Sequence, residues 1–117
     1  MGSLRFGAEQ AVRKCIRVQP NDTVVLVTDR ECLEIGKEIE NVVREITPSI
    51  TTFIMEDFGE RPDDGSRPLA FPQAIATALE TATVSIYAAS GKRGELKSFR
   101  SPMLAIVDNK PNHRHGH

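Results

Sequence analysis

The sequence predicts an α/β fold, a three-layer, Rossmann-like parallel sheet of three or four strands with helices on both faces. Three observations carry this. Segments with helical spacing alternate with short β-branched runs in the order α, β, α, β, α, β, α, the order that builds parallel sheets through right-handed crossovers. The first such run, Thr23-Val24-Val25-Leu26-Val27-Thr28, is apolar in its interior without alternation, as a strand covered on both faces must be. The 117 residues are 39% hydrophobic and 26% charged, the composition of one ordinary globular domain. A strand order 2-1-3 would let helices cover both faces.

Between Gly7 and Arg17 the apolar residues Ala8, Ala11, Val12, Cys15 and Ile16 fall at i, i+3, i+4, i+7 and i+8. That stripe predicts an amphipathic helix with Cys15 on or near its buried side. Pro20-Asn21-Asp22 supplies turn chemistry before the first strand. Thr28-Asp29-Arg30-Glu31 matches the Thr-x-x-Glu capping box, in which hydroxyl and carboxylate satisfy each other's backbone amides, so a helix is expected from near Asp29. Leu33, Gly36, Ile39, Val42, Val43 and Ile46 continue it until Pro48.

Ile50 to Met55 reads as the second strand. Glu56 to Arg67 carries five acids against two arginines, a sum of −3, and predicts a solvated loop. Pro72 suits the first position of a third helix, whose stripe is Ala74, Ile75, Ala78 and Leu79. Thr83 to Ala88 is the third strand, and Ala89 to Gly94 a glycine-rich turn. Ser101-Pro102 reads as a cap and first helical residue of a short helix through Val107. The order breaks off where a further strand is due, so residues 1–117 are expected to form a single α/β domain, the N-terminal part of a longer chain.

Composition narrows the function classes. Lys and Arg number 15 against 16 Asp and Glu, a net charge of −1, so no nucleic-acid partner is expected. No apolar run approaches the roughly 20 residues that span a bilayer, and the N-terminus has no signal-peptide core. A membrane location is therefore not expected. Cys15 and Cys32 suit free, buried thiols in a reducing compartment better than a disulfide, which points to the cytoplasm.

Open α/β sheets bind ligands beyond the carboxyl ends of their strands. Asp29 after the first strand, and Ser90, Gly91, Lys92 and Arg93 after the third, are the candidate ligand-binding residues, since glycine-exposed amides, a hydroxyl and cations suit a phosphate or carboxylate. The alternative is a solvated turn of ordinary surface charges. A Walker A loop is excluded: it would require Gly where Ile86 stands and Ser or Thr where Arg93 stands. His113, His115 and His117 form H-x-H-x-H, which in a strand places three imidazoles on one face and makes them candidate ligands for Zn²⁺ or Ni²⁺. A frayed terminus, or the start of another strand, is the plain alternative. No catalytic residue is identified; Cys15 and Cys32 lack a CxxC spacing or a base.

Residues 8–29, a helix ending in Cys15-Ile16-Arg17-Val18-Gln19-Pro20-Asn21-Asp22 followed by Thr23-Val24-Val25-Leu26-Val27-Thr28-Asp29, resemble the opening of the thermophilic-type metalloaminopeptidases, the aminopeptidase T, aminopeptidase S and leucyl-aminopeptidase-like family. That family's pattern is a cysteine, two or three residues, Val-x-Pro-Gly-Glu, a hydrophobic strand and Thr-Asp; here Asn21-Asp22 stands in place of Gly-Glu. The resemblance implies a non-catalytic N-terminal domain that packs on a C-terminal metal-binding half. The family's paired Zn²⁺ or Co²⁺ ions belong to that half, so no cofactor is expected for these residues, and this segment by itself is not expected to hydrolyse peptides. The partners implied are the missing C-terminal domain or a second copy of the chain. Two other functions remain open at this point: a stand-alone small-ligand, anion-binding module, and an oligomerisation module using a sheet edge.

Overall fold

β1, Val24–Thr28, is buried along its whole length, and the other elements are arranged around it. The computed structural model describes residues 2–59, 69–90, 92, 94–110 and 113–116. In it β1 lies between β2, Ile50–Ile54, and β3, Val84–Ala88, with β4, Arg114–Gly116, outside β3. The order is β2-β1-β3-β4 and every pairing is parallel. Val24 stands opposite both Ile50 and Val84, so the three long strands start level.

The pleat sends alternate residues of β1 into two separate cores. Val24 and Leu26, with Val84 and Ile86, pack against Ala8, Val12 and Ile16 of the first helical segment and against Ile39, Val42 and Val43 of α2, Leu33–Ile46. Val25 and Val27, with Tyr87, pack against Ile75 and Leu79 of α3, Gln73–Thr81, and against Phe99, Met103 and Val107 around α4, Ser101–Asp108. Helices therefore cover both faces of a four-stranded parallel sheet, the α/β, Rossmann-like, three-layer architecture.

Several local expectations are corrected. The first helix begins as α1, Gly2–Glu9, and passes into a π-helical turn over Gln10–Cys15. Its last amide, Ile16 N–H, donates to Ala11 O at 2.9 Å. Bonds of this i→i+5 kind widen the turn. Residues four apart then line up better than residues three apart, so Val12 and Ile16 are buried while Cys15 is exposed. Arg17 closes the segment with φ 59, a left-handed residue that turns the chain so that Val18 is buried.

No capping box forms at Thr28-Asp29-Arg30-Glu31. α2 starts at Leu33, its cap residue Cys32 makes no side-chain cap bond, and the Thr28 hydroxyl donates instead to Ala88 O at 2.8 Å across the sheet. α3 starts one residue after Pro72, which keeps an extended backbone at ψ 142. Ser101 is not a cap either: a π-helical segment, Leu96–Arg100, leads without a break into α4. The acidic stretch after β2 opens with a 3-10 turn, Met55–Phe58, whose Met55 is fully buried; residues 60–68 lie outside the described residues. No described helix is long and apolar enough to cross a membrane.

α2 crosses β1 at Gly36. A methyl group there would come within 2.6 Å of Thr28 Oγ1 and 3.0 Å of Thr28 Cβ. Thr28 cannot give way easily, being β-branched, fully buried and hydrogen bonded to β3. Alanine gains about 1 kcal/mol over glycine in helix propensity, but overpacking costs about 1–3 kcal/mol and a lost buried hydrogen bond about 1 kcal/mol more. Gly36→Ala is therefore expected to lower the unfolding free energy by about 1–3 kcal/mol in urea titration at unchanged slope. A variant as stable as the parent chain would contradict this packing.

Candidate functional site

The strand order places a topological switch point between β1 and β3: the chain leaves β1 toward α2 on one face, whereas the segment following β3 leads to α4 on the other. Crevices at such points are the ligand sites of open α/β sheets. Thr28 ends β1 and Ala88 ends β3 on either side of it, followed by Asp29 in the first loop and Ala89 and Ser90 in the other.

Asp29 is completely buried. Its Oδ1 accepts from the Cys32 amide at 2.8 Å, and its Oδ2 accepts from both the amide and the hydroxyl of Ser90 at 2.9 and 2.7 Å. The carboxylate thus ties the turn before α2 to the loop after β3. Short polar side chains in turns commonly accept backbone amides a few residues on, and here the same group also bridges to another loop. Glu31 reaches the same loop by an ion pair with Lys92 Nζ at 2.5 Å, and Lys92, with Ser90, holds its carboxyl below the ordinary value. On the other side, Arg30 N–H donates to Glu56 Oε1 at 3.0 Å. Asp29, Ser90 and Lys92 of the candidate ligand-binding set therefore do converge. Asp29 and Ser90 bind each other, and Lys92 binds Glu31, outside that set. Gly91 and Arg93 lie outside the described residues.

Cys32 is half-buried beside this brace. Burial, the Asp29 charge and the Asp29 hydrogen bond push its thiol up, the opposite of an activated nucleophile. It lines a cavity of about 270 Å³ together with Ile35, Ala89 and Arg100.

The histidines act at the other end of the sheet's edge. Ser85, fully buried in β3, holds its hydroxyl 2.9 Å from His113 Nε2 and 2.6 Å from His115 Nδ1. His113 Nδ1 lies 3.2 Å from Ala82 O, which accepts its proton. With that tautomer, Nε2 accepts the Ser85 proton, and the Ser85 oxygen accepts from His115 Nδ1. Both described imidazoles thus fasten β4 to β3. Among the described residues no group of three or more His, Cys, Asp or Glu side chains converges to hold a metal ion, and His117 lies outside them. Arg114 adds a latch: its guanidinium binds the Asp22 carboxylate and donates to Arg17 O at 2.8 Å. Gly116 rests on Ile16, whose Cδ1 would lie 2.6 Å from a β-carbon there.

Three groups in these contacts escaped sequence reasoning. Asp22, read as a plain turn residue, is buried and accepts from the Gln19 amide at 2.7 Å and the Thr83 hydroxyl at 2.8 Å. Burial pushes its carboxyl up, but those donors and Arg114 together bring it below its ordinary value. Glu95, 1% exposed, accepts from the Lys92 amide at 3.2 Å and shapes the turn before α4. Ser85 had one available signal, a hydroxyl in the middle of an apolar strand.

Comparison with protein-family models, with curated proteins and with solved structures finds no match for this chain.

Two tests follow from the braces. Asp29→Ala strands the Cys32 and Ser90 donors, each bonded to a charged acceptor, and such bonds contribute about 1.5–3 kcal/mol; a loss of about 3 kcal/mol in chemical denaturation is expected, with Asp29→Asn intermediate. His113 is pulled below its ordinary value by burial, with Lys110 and Arg114 acting in the same direction against the Ala82 carbonyl. A depressed folded value means that its contribution is complete above the unfolded value of about 6.5 and is lost as pH falls through the lower folded value. Stability should therefore drop between pH 7.5 and 5 in the parent chain and much less in His113→Gln. Asp22 adds its own loss only below the ordinary carboxyl value of 3.8. Equal slopes in the two chains between pH 7.5 and 5 would overturn the role given to His113.

Proposed function

We propose that the chain is the non-catalytic α/β domain of a leucyl-aminopeptidase-like metallopeptidase and packs against a metal-binding half outside these 117 residues. The observation that carries this reading is where the family-like residues fall. Residues 15–29 form the end of the π-helical turn, the left-handed corner at Arg17, the buried turn at Asp22 and the central strand with Thr28-Asp29 at its tip. The stretch that resembles the family's opening is thus the frame of the sheet.

The engagement of the polar groups supports the same reading. Asp29 holds Cys32 and Ser90, Asp22 holds Gln19, Thr83 and Arg114, and His113 holds Ser85 and Ala82. Each group braces one strand or loop against another. A general base needs a free lone pair within reach of a substrate proton, and these groups direct theirs inward. Polarising a peptide carbonyl and activating water would be the work of the metal ions of the other half.

The test is antibody capture of the native protein from its source cells, followed by intact mass measurement and assay of leucyl-amide hydrolysis with and without Co²⁺ or Zn²⁺. The expected result is a polypeptide heavier than 12.9 kDa, or a second polypeptide held with it, that releases leucine in a metal-dependent way, while the isolated 117-residue chain releases none. A captured chain of 12.9 kDa alone and without hydrolysis would overturn the reading. So would leucine release by the isolated chain.

A further inference from the structure

Beside β3 the packing leaves room. A cavity of about 290 Å³ lies between the π-helical turn, α2 and the β3–β4 edge, walled by Ile16, Ile35, Ile39 and Ile86, with Cys15 and Gly116 also lining it. It opens to solvent beside the exposed Cys15, so it is a pocket in the surface and not an enclosed void. A dry cavity of about 150 Å³ lined by such side chains takes up benzene, so the present one has room for a ring with a short chain, or for a branched chain of about six to eight carbons. The 270 Å³ cavity beside Cys32 and Ala89 shares Ile35, Tyr87 and Ala88 with it and is lined also by Arg100. The two therefore adjoin, one aliphatic and the other bounded by a cation.

Arg100 is the polar end of this space. Its guanidinium carbon lies 4.9 Å from the centroid of the Tyr87 ring, and the ion pairs among the described residues do not include it. The acids of the two adjoining loops have partners of their own: Asp29 accepts from Ser90 and Cys32, Glu31 pairs with Lys92 Nζ, and Glu95 accepts from the Lys92 amide. A planar guanidinium held on an aromatic face keeps its N–H edge for a planar anion, and carboxylates fit that edge with two parallel bonds. Pockets for small molecules share this plan, a mostly apolar lining with a few polar groups that fix orientation.

We propose that the adjoining cavities bind a small carboxylate with an apolar body, an aromatic or branched aliphatic acid, its body among Ile16, Ile39 and Ile86 and its carboxylate on Arg100. Because the site is built from the domain's own residues, it stands apart from the peptidase reading and is tested separately.

The probe is 3-phenylpropionate, titrated by calorimetry into the 117-residue chain and followed by amide chemical-shift changes, beside 3-phenylpropan-1-ol, 3-phenylpropylamine and acetate. The acid is expected to bind about tenfold more tightly than the alcohol, the order expected of one charge-assisted contact at a partly exposed site. Acetate and the amine should leave the spectrum unchanged. Arg100→Gln should bring the acid down to the alcohol's affinity while leaving the alcohol as it was, and Ala11→Phe, which fills the apolar cavity from its wall, should abolish both. Equal affinities for acid and alcohol in the parent chain, tighter binding of the amine, or no binding by any probe would overturn the proposal. So would parent-like binding by Ala11→Phe. Should that variant not fold, the Arg100→Gln comparison decides alone.

Discussion

The carboxylate of Asp29 accepts from the Cys32 amide on one oxygen and from the Ser90 amide and hydroxyl on the other, in a place without solvent contact. Buried charge is tolerated only where hydrogen bonds replace the water it has lost. The loops after β1 and β3 therefore cannot separate without leaving that charge partly bare. This one group joins the strand at the centre of the sheet to the loop on the far side of the switch point. The nearby pairs, Glu31 with Lys92 and Arg30 N–H with Glu56, act around it. Being more exposed, they are screened by solvent and contribute less.

A second carboxylate does the corresponding work at the start of the same strand. Asp22 precedes β1 and gathers the Gln19 amide, the Thr83 hydroxyl before β3 and the Arg114 guanidinium of β4, while its backbone carbonyl accepts from Thr47 after α2 at 3.1 Å. β1 is thus held at both ends by acidic residues that reach across to other strands. The apolar interior between them, Val24 to Val27, feeds two cores and has no polar side chain of its own. A short sheet with a three-residue outer strand relies on such cross-links more than a large one, because a small domain buries a smaller fraction of its surface.

These braces bear on function through what they leave over. The switch-point crevice has the Ser90 hydroxyl and the Lys92 ammonium directed to Asp29 and Glu31, whereas the space beside β3 is bounded by isoleucines and by Arg100. Of the candidate residues, Asp29 was correctly placed at a strand end by the Thr-Asp that closes an apolar run. Its partners were not legible, because Ser90 lies 61 positions away and a turn residue shows no sign of what crosses over it. The histidine spacing did encode one face of a strand. That this face meets Ser85 depends on the register of β4 against β3, which no local pattern states.

Element order and the class of fold came from local physics. β-branched runs cannot easily be helical, amphipathic stripes must bury one side, and Pro48 and the turn residues punctuate between them. Such preferences act within a few residues and survive whatever the neighbours do. The tertiary structure alone decided the features that need a partner from afar. Thr28 bonds to Ala88 across the sheet instead of capping α2, the π-helical turn sets Ile16 under Gly116 and leaves Cys15 exposed, and Arg100 comes to rest on Tyr87. In each case a long-range contact was worth more than the local preference it displaced. Side chains with several acceptable local arrangements take the one that the rest of the fold completes.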